Sequence, residues 1–474
     1  MSAAGRSTTG GSVTDVGNAV LVEAPPRPAP GAPRPYRFPA FERRTLPNGL
    51  RLVVATVRRL PVVSVAAVVD AGAAADPVGK EGLAVLTARA LDEGTAEFDA
   101  LALADRVERL GASLDAGADW DAALVSLTTL APKLEEAFAV LAEVLARPVF
   151  PEREVERLKA ERLADLLHLR SDAGGLADAA LSEAVYAEAS RYARPEGGGE
   201  AAVRGLTQGD VAAFHAARYR PGATTLVVAG DVSADEAEAL AARTLGTWKG
   251  GSPAPAAVDD RPASDAPRVV LVAKPDAQQS ELRVGHVGVP RHTPDYFPLL
   301  VMNSIFGGLF NSRVNLNLRE RHGYTYGARS AFDWRCGAGP FAVESAVATD
   351  KTVAAAREVL IEMARMRDEL VAPEELSLAT SYLDGVFPIR YETTSAIASA
   401  LSALVIFGLP DDYFDRYRER VRAVTVDEVR RAAREYLRPE RLQLVVAGAP
   451  ALREELEAMA FGPLADVAVE AVAR

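Results

Sequence analysis

The sequence predicts an α+β protein built from two homologous halves, each a mixed, mainly antiparallel sheet with helices. Strand-like and helix-like runs come in blocks and do not alternate strictly, which favours this class over a parallel α/β fold. The chain also repeats itself at one constant offset, and such self-similarity indicates a duplicated unit. Three pairs of identical residues share that offset: Thr207 and Thr425, Pro221 and Pro439, Gly230 and Gly448.

The elements of the first half follow from residue type and period. The runs Leu50–Ala55 and Val62–Val69 are rich in β-branched residues and predict two strands. Apolar residues recur at steps of three and four from Leu134 to Leu145, the pattern of one helix face. A long charged helix is predicted over Glu152–Leu169. The offset of the repeat carries the strand region 52–72 onto 270–290, so the second half should begin in the same way.

Bulk composition limits the classes of function. The chain has 474 residues, 49% hydrophobic and 25% charged, as in an ordinary globular protein. A net charge of −12 disfavours nucleic acid or an anionic membrane as a partner. No run approaches the roughly 18 apolar residues that a membrane span needs. Cys336 is the one cysteine, so no internal disulfide is available and a cytoplasmic location is expected.

Composition also suggests the domain boundaries. Residues 1–40, rich in Gly, Ser, Thr, Ala and Pro, are predicted to be disordered and do not have the pattern of a secretory signal. The N-terminal half is assigned to residues 41–248 and the C-terminal half to residues 267–474. The Gly, Pro and Asp content of residues 249–266 predicts a linker.

The segment Gly82–Thr95 resembles the zinc-binding helix of the pitrilysin/insulinase family of peptidases. That family carries His-x-x-Glu-His between a Gly-Leu-Ala-like start and a Gly-Thr end. Here Val85 and Arg89 stand where the two histidines belong, and Ala88 where the glutamate belongs. Two imidazoles one helical turn apart bind the metal, a third ligand leaves one position open for water, and a carboxylate acts as base. The resemblance therefore implies the fold without the zinc.

The third zinc ligand of the family is a Glu at a set distance past the second His, and the residue at the matching distance from Arg89 is Asp165. We expect no metal in this chain. One interpretation of Asp165 is a solvated residue on a charged helix. The other is that Arg89 replaces the metal as a fixed cation and forms an ion pair with Asp165, because a guanidinium suits a carboxylate.

A second resemblance lies in the C-terminal half. Residues 306–313, with Gly307 and Gly308, resemble the family's glycine-rich loop, and residues 318–327 resemble its Leu-Arg-Glu segment. By that match Arg319 and Tyr326 are the pair that contacts substrate and stabilises the charge on a peptide carbonyl under attack. Plainer interpretations stay open: a surface ion pair of Arg319 with Glu320, ordinary packing of Tyr326 at a strand start, and a helix cap at the glycines.

The alternation of residues 340–347 predicts a strand. If it is an edge strand it could bind an extended peptide by strand addition, with Phe341 and Val343 as contacts. An interior strand is the other interpretation.

The resemblance implies two halves that form a clam shell around a cavity. The leading hypothesis is a non-catalytic, substrate-binding subunit of a heterodimeric zinc endopeptidase that cuts unfolded peptides. The chain would be inactive alone, with zinc in a homologous partner that carries His-x-x-Glu-His. Two alternatives are a peptide-binding or assembly protein with no protease partner, and a metallopeptidase with an unorthodox metal site.

Overall fold

Two six-stranded sheets form the centre of the computed structural model, which describes residues 35–472. The strands of the first sheet are β1 (Glu42–Thr45), β2 (Arg51–Thr56), β3 (Val62–Val69), β4 (Ser113–Ala118), β5 (Ala123–Leu130) and β6 (Thr224–Gly230). Those of the second are β7 (Arg268–Ala273), β8 (Gln279–Val287), β9 (Thr325–Phe332), β10 (Pro340–Ala348), β11 (Gln443–Gly448) and β12 (Leu464–Ala468).

Five strands of each sheet correspond one to one. The orders are β1-β2-β6-β3-β5-β4 and β12-β7-β11-β8-β10-β9. The pairs β2–β6 and β7–β11 are parallel, and the three pairings that follow each of them are antiparallel. The outermost strands differ, since β1 runs antiparallel to β2 whereas β12 runs parallel to β7. The predicted α+β fold with two homologous halves is confirmed.

Helices surround both sheets. Those of the first half are α1 (Leu83–Arg89), α2 (Ala100–Arg109), α3 (Leu134–Ala146), α4 (Glu152–Leu169), α5 (Ala173–Val185), α6 (Glu200–Gly205), α7 (Gln208–Arg218) and α8 (Ala234–Leu245). Those of the second are α9 (Tyr296–Asn303), α10 (Arg313–Asn315), α11 (Thr352–Asp368), α12 (Pro373–Arg390), α13 (Thr394–Ile406), α14 (Tyr413–Ala423), α15 (Val426–Tyr436) and α16 (Arg453–Ala458). Two π-helical segments, Ser304–Gly308 and Leu316–Arg321, flank α10.

The repeat extends to the capping of one helix in each half. Thr207 precedes α7 and Thr425 precedes α15. Each accepts a bond from a backbone N–H three residues later, and the acidic side chain there, Asp210 or Glu428, accepts a bond in return from the threonine N–H. This reciprocal arrangement satisfies two of the free donors at a helix start. The same local chemistry therefore fixes the start of equivalent helices in the two halves.

Each half packs one of its helices against the sheet of the other half. Helix α5 of the first half packs on β8 and β11 of the second sheet, where Leu176 is fully buried with Val445. Helix α13 of the second half packs on β3 and β6 of the first sheet. The opposite face of the first sheet is covered by α1, α3 and α8 from its own half. Each half thus buries apolar surface of the other, and burial of that kind is the main force holding them together.

The predicted linker between the halves has no regular structure of its own. Between Leu245 and Arg268, a fully described stretch, there is no helix or strand. Most of the segment 1–40 lies outside the described residues, but its end is packed. Phe38 is 7% exposed and stacks on Phe414 at 4.2 Å between ring centroids. Packing therefore begins before residue 41, and the predicted disorder is wrong for residues 36–40.

Within residues 35–472, none of the helices combines the length and apolar character needed to cross a membrane.

Candidate functional site

The short helix α1 begins at a buried carboxylate. Asp76 accepts hydrogen bonds from the backbone N–H of Gly82 at 2.7 Å and of Ala84 at 2.8 Å. Arg191 donates to the same carboxylate at 2.9 Å, and the side chains of Asp76 and Arg191 are 0% and 9% exposed. Burial raises the pKa of Asp76 despite the opposing effects of Arg191 and the two N–H groups. The start of the helix therefore depends on a desolvated ion pair.

The positions that match the zinc ligands do not fit a zinc ion. Val85 and Arg89 line a small hollow of about 20 Å³, together with Lys159 and Arg162. Zinc takes thiolate, imidazole or carboxylate ligands, but this hollow presents apolar side chains and three basic ones that repel a cation. Ala88 is fully buried and offers no ligand atom. Over the whole of residues 35–472, no group of three or more His, Cys, Asp and Glu side chains is arranged to hold a metal.

The predicted ion pair of Arg89 with Asp165 is wrong about the partner. Arg89 donates to Glu161, one helical turn earlier on α4, at 2.8 Å. Asp165 instead lies near Arg162. Burial lowers the pKa of Arg162, and the charge of Asp165 opposes that shift. The sequence spacing brings the two helices together, as expected. A long arginine side chain then reaches more than one turn of the facing helix, so spacing alone does not select the carboxylate.

The pair of Arg89 with Glu161 is a surface pair, with side chains 38% and 44% exposed. We therefore expect Arg89→Ala to lower the free energy of unfolding by no more than about 1 kcal/mol. Arg162→Ala is the comparison, because Arg162 donates to the carbonyls of Gly197 and Gly198 at 3.1 and 2.9 Å and should cost more. Urea unfolding followed by circular dichroism measures both. A larger loss for Arg89 than for Arg162 would contradict this assignment.

The C-terminal half holds a cleft of about 480 Å³ that brings together the residues of the second motif. Gly307, Gly308, Arg319 and Tyr326 all line it. The glycines end the first π-helical segment, Arg319 lies on the second, and Tyr326 is the second residue of β9. Residues from three separate elements thus meet at one open cleft.

Gly307 and Gly308 are required by close packing of the backbone. A Cβ at Gly307 would lie 2.7 Å from the backbone nitrogen of Ser330 on β9. A Cβ at Gly308 would lie 3.0 Å from the carbonyl oxygen of Asn303. Glycine allows this approach because it has no side chain. The glycine-rich loop therefore sits directly against the strand that carries Tyr326.

Tyr326 projects from an irregularity in β9. Opposite Ser345 and Val347 of β10 the pairing partners are Ala328 and Thr325, so β9 has one residue more than its partner over this stretch. The extra residue forms a β-bulge at Tyr326 and Gly327, and bulges redirect side chains. Tyr326 is 91% exposed. The interpretation of Tyr326 as a half-buried packing residue is wrong, and its phenol points into solvent at the cleft.

Arg319 is held by two neighbours. Its guanidinium lies over the ring of Phe310, 4.7 Å from the centroid, a cation–π contact. Its Nε lies 3.3 Å from a carboxylate oxygen of Glu320, so the plain expectation of an ion pair there is correct. The Arg319 side chain remains 36% exposed. The Phe310 ring and the Glu320 carboxylate hold the Arg319 guanidinium in place, and the side chain also lines the cleft.

Strand β10 does not bind peptide through its edge. It lies between β8 and β9, and Phe341 and Val343 are 0% and 1% exposed in the core. The prediction of these two side chains as peptide contacts is wrong. Alternation marks a strand with two different faces, but it does not distinguish an edge from an interior position. Whether a strand is an edge depends on whether other strands pair with it on both sides, as β8 and β9 pair with β10.

Beyond β10 the sheet ends at β9, one of its two edge strands, and two asparagines occupy part of the free side of β9. Asn315 accepts from the N–H of Ala328 at 2.9 Å, and Asn303 donates to the carbonyl of Ser330 at 3.1 Å. Strand addition along this part of β9 is therefore blocked, as in edges protected from pairing. Sequence reasoning missed both residues. One signal was present, since asparagine is unfavourable inside helices and usually has a specific bonding partner there.

The fold and the two sites define a peptidase-like chain that lacks the zinc ligands. The chain belongs to the insulinase family, peptidase family M16. Residues 53–194 match the insulinase domain of that family and residues 205–383 match the peptidase M16 inactive domain.

Some relatives are described as zinc proteases, and one is described as a non-peptidase homolog. An uncharacterized zinc protease of Mycobacterium tuberculosis is 25% identical over 418 residues, which cover 87% of this chain and 94% of that protein. A non-peptidase homolog of Helicobacter pylori is 24% identical over 355 residues, 73% of this chain and 80% of that one.

Solved structures show the same fold. A peptidase M16 inactive domain from Pseudomonas fluorescens superimposes with a TM-score of 0.81 at 28% identity, covering 86% of this chain and 98% of that one. A protease from Helicobacter pylori has a TM-score of 0.79 at 18% identity, covering 86% of this chain and all of that one.

Proposed function

We propose that this chain is the non-catalytic, substrate-binding subunit of a heterodimeric zinc endopeptidase that acts on unfolded peptides. A homologous partner with His-x-x-Glu-His would supply the zinc, and this chain would supply Arg319 and Tyr326. The observation that carries the proposal is a contrast within one molecule. The residues of the second motif share an open cleft. The positions that match the family's zinc-binding motif hold a valine, an alanine and an arginine, with further basic side chains nearby.

The chemistry of the pair suits a shared peptidase site. When water attacks a peptide carbonyl, its oxygen becomes negative, and donors aimed at that oxygen stabilise the transition state more than the substrate. The exposed Tyr326 hydroxyl is a neutral donor and the Arg319 guanidinium a charged one. Neither group performs hydrolysis without an activated water, so the chain alone is expected to be inactive. The zinc-bound water of the partner would provide the attacking group.

The names of two relatives support a role without catalysis. One is described as a non-peptidase homolog and one as a peptidase M16 inactive domain. The relatives described as zinc proteases align with this chain over most of their length. A family that contains both kinds of chain is consistent with pairs in which one subunit holds the metal. The single cysteine favours the cytoplasm as the site of this complex.

A second candidate is a peptide-binding or assembly protein with no protease partner. The ion pair of Arg319 with Glu320 favours it, because a guanidinium held by a neighbouring carboxylate is explained without a catalytic role. The third alternative, an unorthodox metallopeptidase, has no support from the ligand types around α1.

Reconstitution tests the proposal. The chain and the homologous His-x-x-Glu-His subunit from the same organism are purified separately, and each is assayed alone on a quenched-fluorescent unfolded peptide. We expect less than stoichiometric zinc in this chain, little or no turnover from either chain, and chelator-sensitive turnover from the mixture.

The matched control replaces the glutamate of the partner's motif with glutamine, which should abolish turnover without preventing assembly. Full activity of the partner alone, or one tightly bound zinc in this chain with activity of its own, would overturn the proposal. A stable complex with no turnover would favour the assembly role.

A further inference from the structure

Asn315 is a buried amide at the junction between the elements that carry Arg319 and Tyr326. It ends the short helix α10, directly before the segment Leu316–Arg321, and is 3% exposed. Its side chain reaches the cleft lining. A buried amide must find partners for its donor and its acceptor, because leaving them unpaired is costly. The identity of those partners shows what this residue connects.

Both partners belong to the cleft. The Asn315 Nδ2 donates to the carbonyl of Phe310 at 2.7 Å, and its Oδ1 accepts from the N–H of Ala328 at 2.9 Å. Phe310 carries the ring on which Arg319 rests. Ala328 follows the bulge from which Tyr326 projects. One side chain therefore bonds to the loop beneath Arg319 and to the strand that aims Tyr326.

We propose that Asn315 is a positioning residue that fixes Arg319 and Tyr326 relative to each other, an inference that rests on the proposed function. Arg319 and Tyr326 lie on different elements, and the bulge at Tyr326 interrupts the regular pairing that would otherwise fix that part of β9. The bond between Ala328 and Asn315 adds a fixed contact next to the bulge, on the side of β9 that faces away from β10. Donors must be held within a fraction of an ångström to act on one oxygen, and this bond supplies that constraint.

Asn317 provides a matched control on the same segment. It is 5% exposed, and its Nδ2 donates to Glu358 at 3.0 Å and Glu362 at 2.8 Å, both on α11. Asn317 thus has the same residue type, similar burial and two polar contacts, but those contacts lead away from the cleft. A loss of general packing should appear equally in both variants, and a loss of positioning only in the Asn315 variant.

The experiment compares Asn315→Leu with Asn317→Leu in the reconstituted complex. We expect Asn315→Leu to lower kcat by about 10- to 100-fold, the range for misplaced catalytic groups, with KM changed by less than about threefold. Asn317→Leu should leave kcat within about threefold of the parent. In the isolated chain, hydrogen exchange over residues 325–332 should become faster with Asn315→Leu and stay unchanged with Asn317→Leu.

A double variant separates positioning from an independent effect. If Asn315 acts through Tyr326, the combination Asn315→Leu with Tyr326→Phe should lose little more activity than the larger single loss. Additive losses would overturn the proposal, as would an equal fall in kcat with Asn317→Leu. If Asn315→Leu does not fold, Asn315→Ser, too short to reach both partners, is judged by the same criteria.

The outcomes distinguish the two proposals. Unchanged kcat for Asn315→Leu together with a fall for Tyr326→Phe overturns the positioning role and leaves the proposed function intact. Unchanged kcat for Tyr326→Phe and for Arg319→Ala overturns the proposed function itself. Faster hydrogen exchange without any change in kcat shows that the contact is structural only, and it also overturns the positioning role.

Discussion

Replacing Tyr326 with phenylalanine should lower kcat of the assembled enzyme by roughly 10- to 1000-fold, the effect of losing one donor to a developing oxyanion. Folding should be unaffected because Tyr326 is 91% exposed, and assembly should persist because only one hydroxyl is removed. The phenyl ring keeps its size and its place on the bulge, so the hydroxyl is the only group removed. Steady-state kinetics with a quenched-fluorescent peptide measure the loss.

Two further variants sharpen the result. Tyr382→Phe is the matched control, since Tyr382 is a solvent-exposed tyrosine on α12, outside the cleft lining, and its loss should not change kcat. Arg319→Ala should also lower kcat/KM, because it removes the charged donor. If Tyr326→Phe and Arg319→Ala both leave kcat/KM unchanged, the pair has no catalytic role and the assembly function is favoured.

Replacing Asp76 with alanine should lower the free energy of unfolding by about 3–5 kcal/mol, the cost of breaking a buried ion pair by removing one partner. The side chains of Asp76 and Arg191 are 0% and 9% exposed, so solvent cannot replace the lost carboxylate. The substitution also leaves the N–H groups of Gly82 and Ala84 without their acceptor. Urea unfolding of the full chain, with helical and tertiary signals recorded together, gives the change.

The source of this loss can be tested directly. The pKa of Asp76 is raised by burial, so the pair does not stabilise the fold simply by attraction. Removing both charges, with Asp76→Ala and Arg191→Met, should therefore cost less than the sum of the two single losses. Asp411→Ala is the control, because Asp411 pairs with Arg43 on the surface and should cost about 0–1 kcal/mol. Equal losses for Asp76 and Asp411 would contradict the prediction.

Local sequence determined much of this protein. Helix α4 spans the predicted range Glu152–Leu169, and β3 spans Val62–Val69, because periodicity and β-branching act over a few neighbouring residues. The repeat of Thr207, Pro221 and Gly230 in the second half predicted two homologous halves, and the structure shows the matching sheets. The sequence alone also showed that Val85, Ala88 and Arg89 lack the side chains that bind zinc in the family, because residue type does not depend on the fold.

Tertiary structure decided how those elements meet. The sequence did not show that β10 is interior, that a bulge aims Tyr326, or that Glu161 is the partner of Arg89. Nor did it show that α5 and α13 cross to the sheet of the other half. Each of these depends on which distant segment lies alongside, and strand order, side-chain reach and apolar burial are settled only when the whole chain packs. Local patterns fix the elements, and their contacts fix the site.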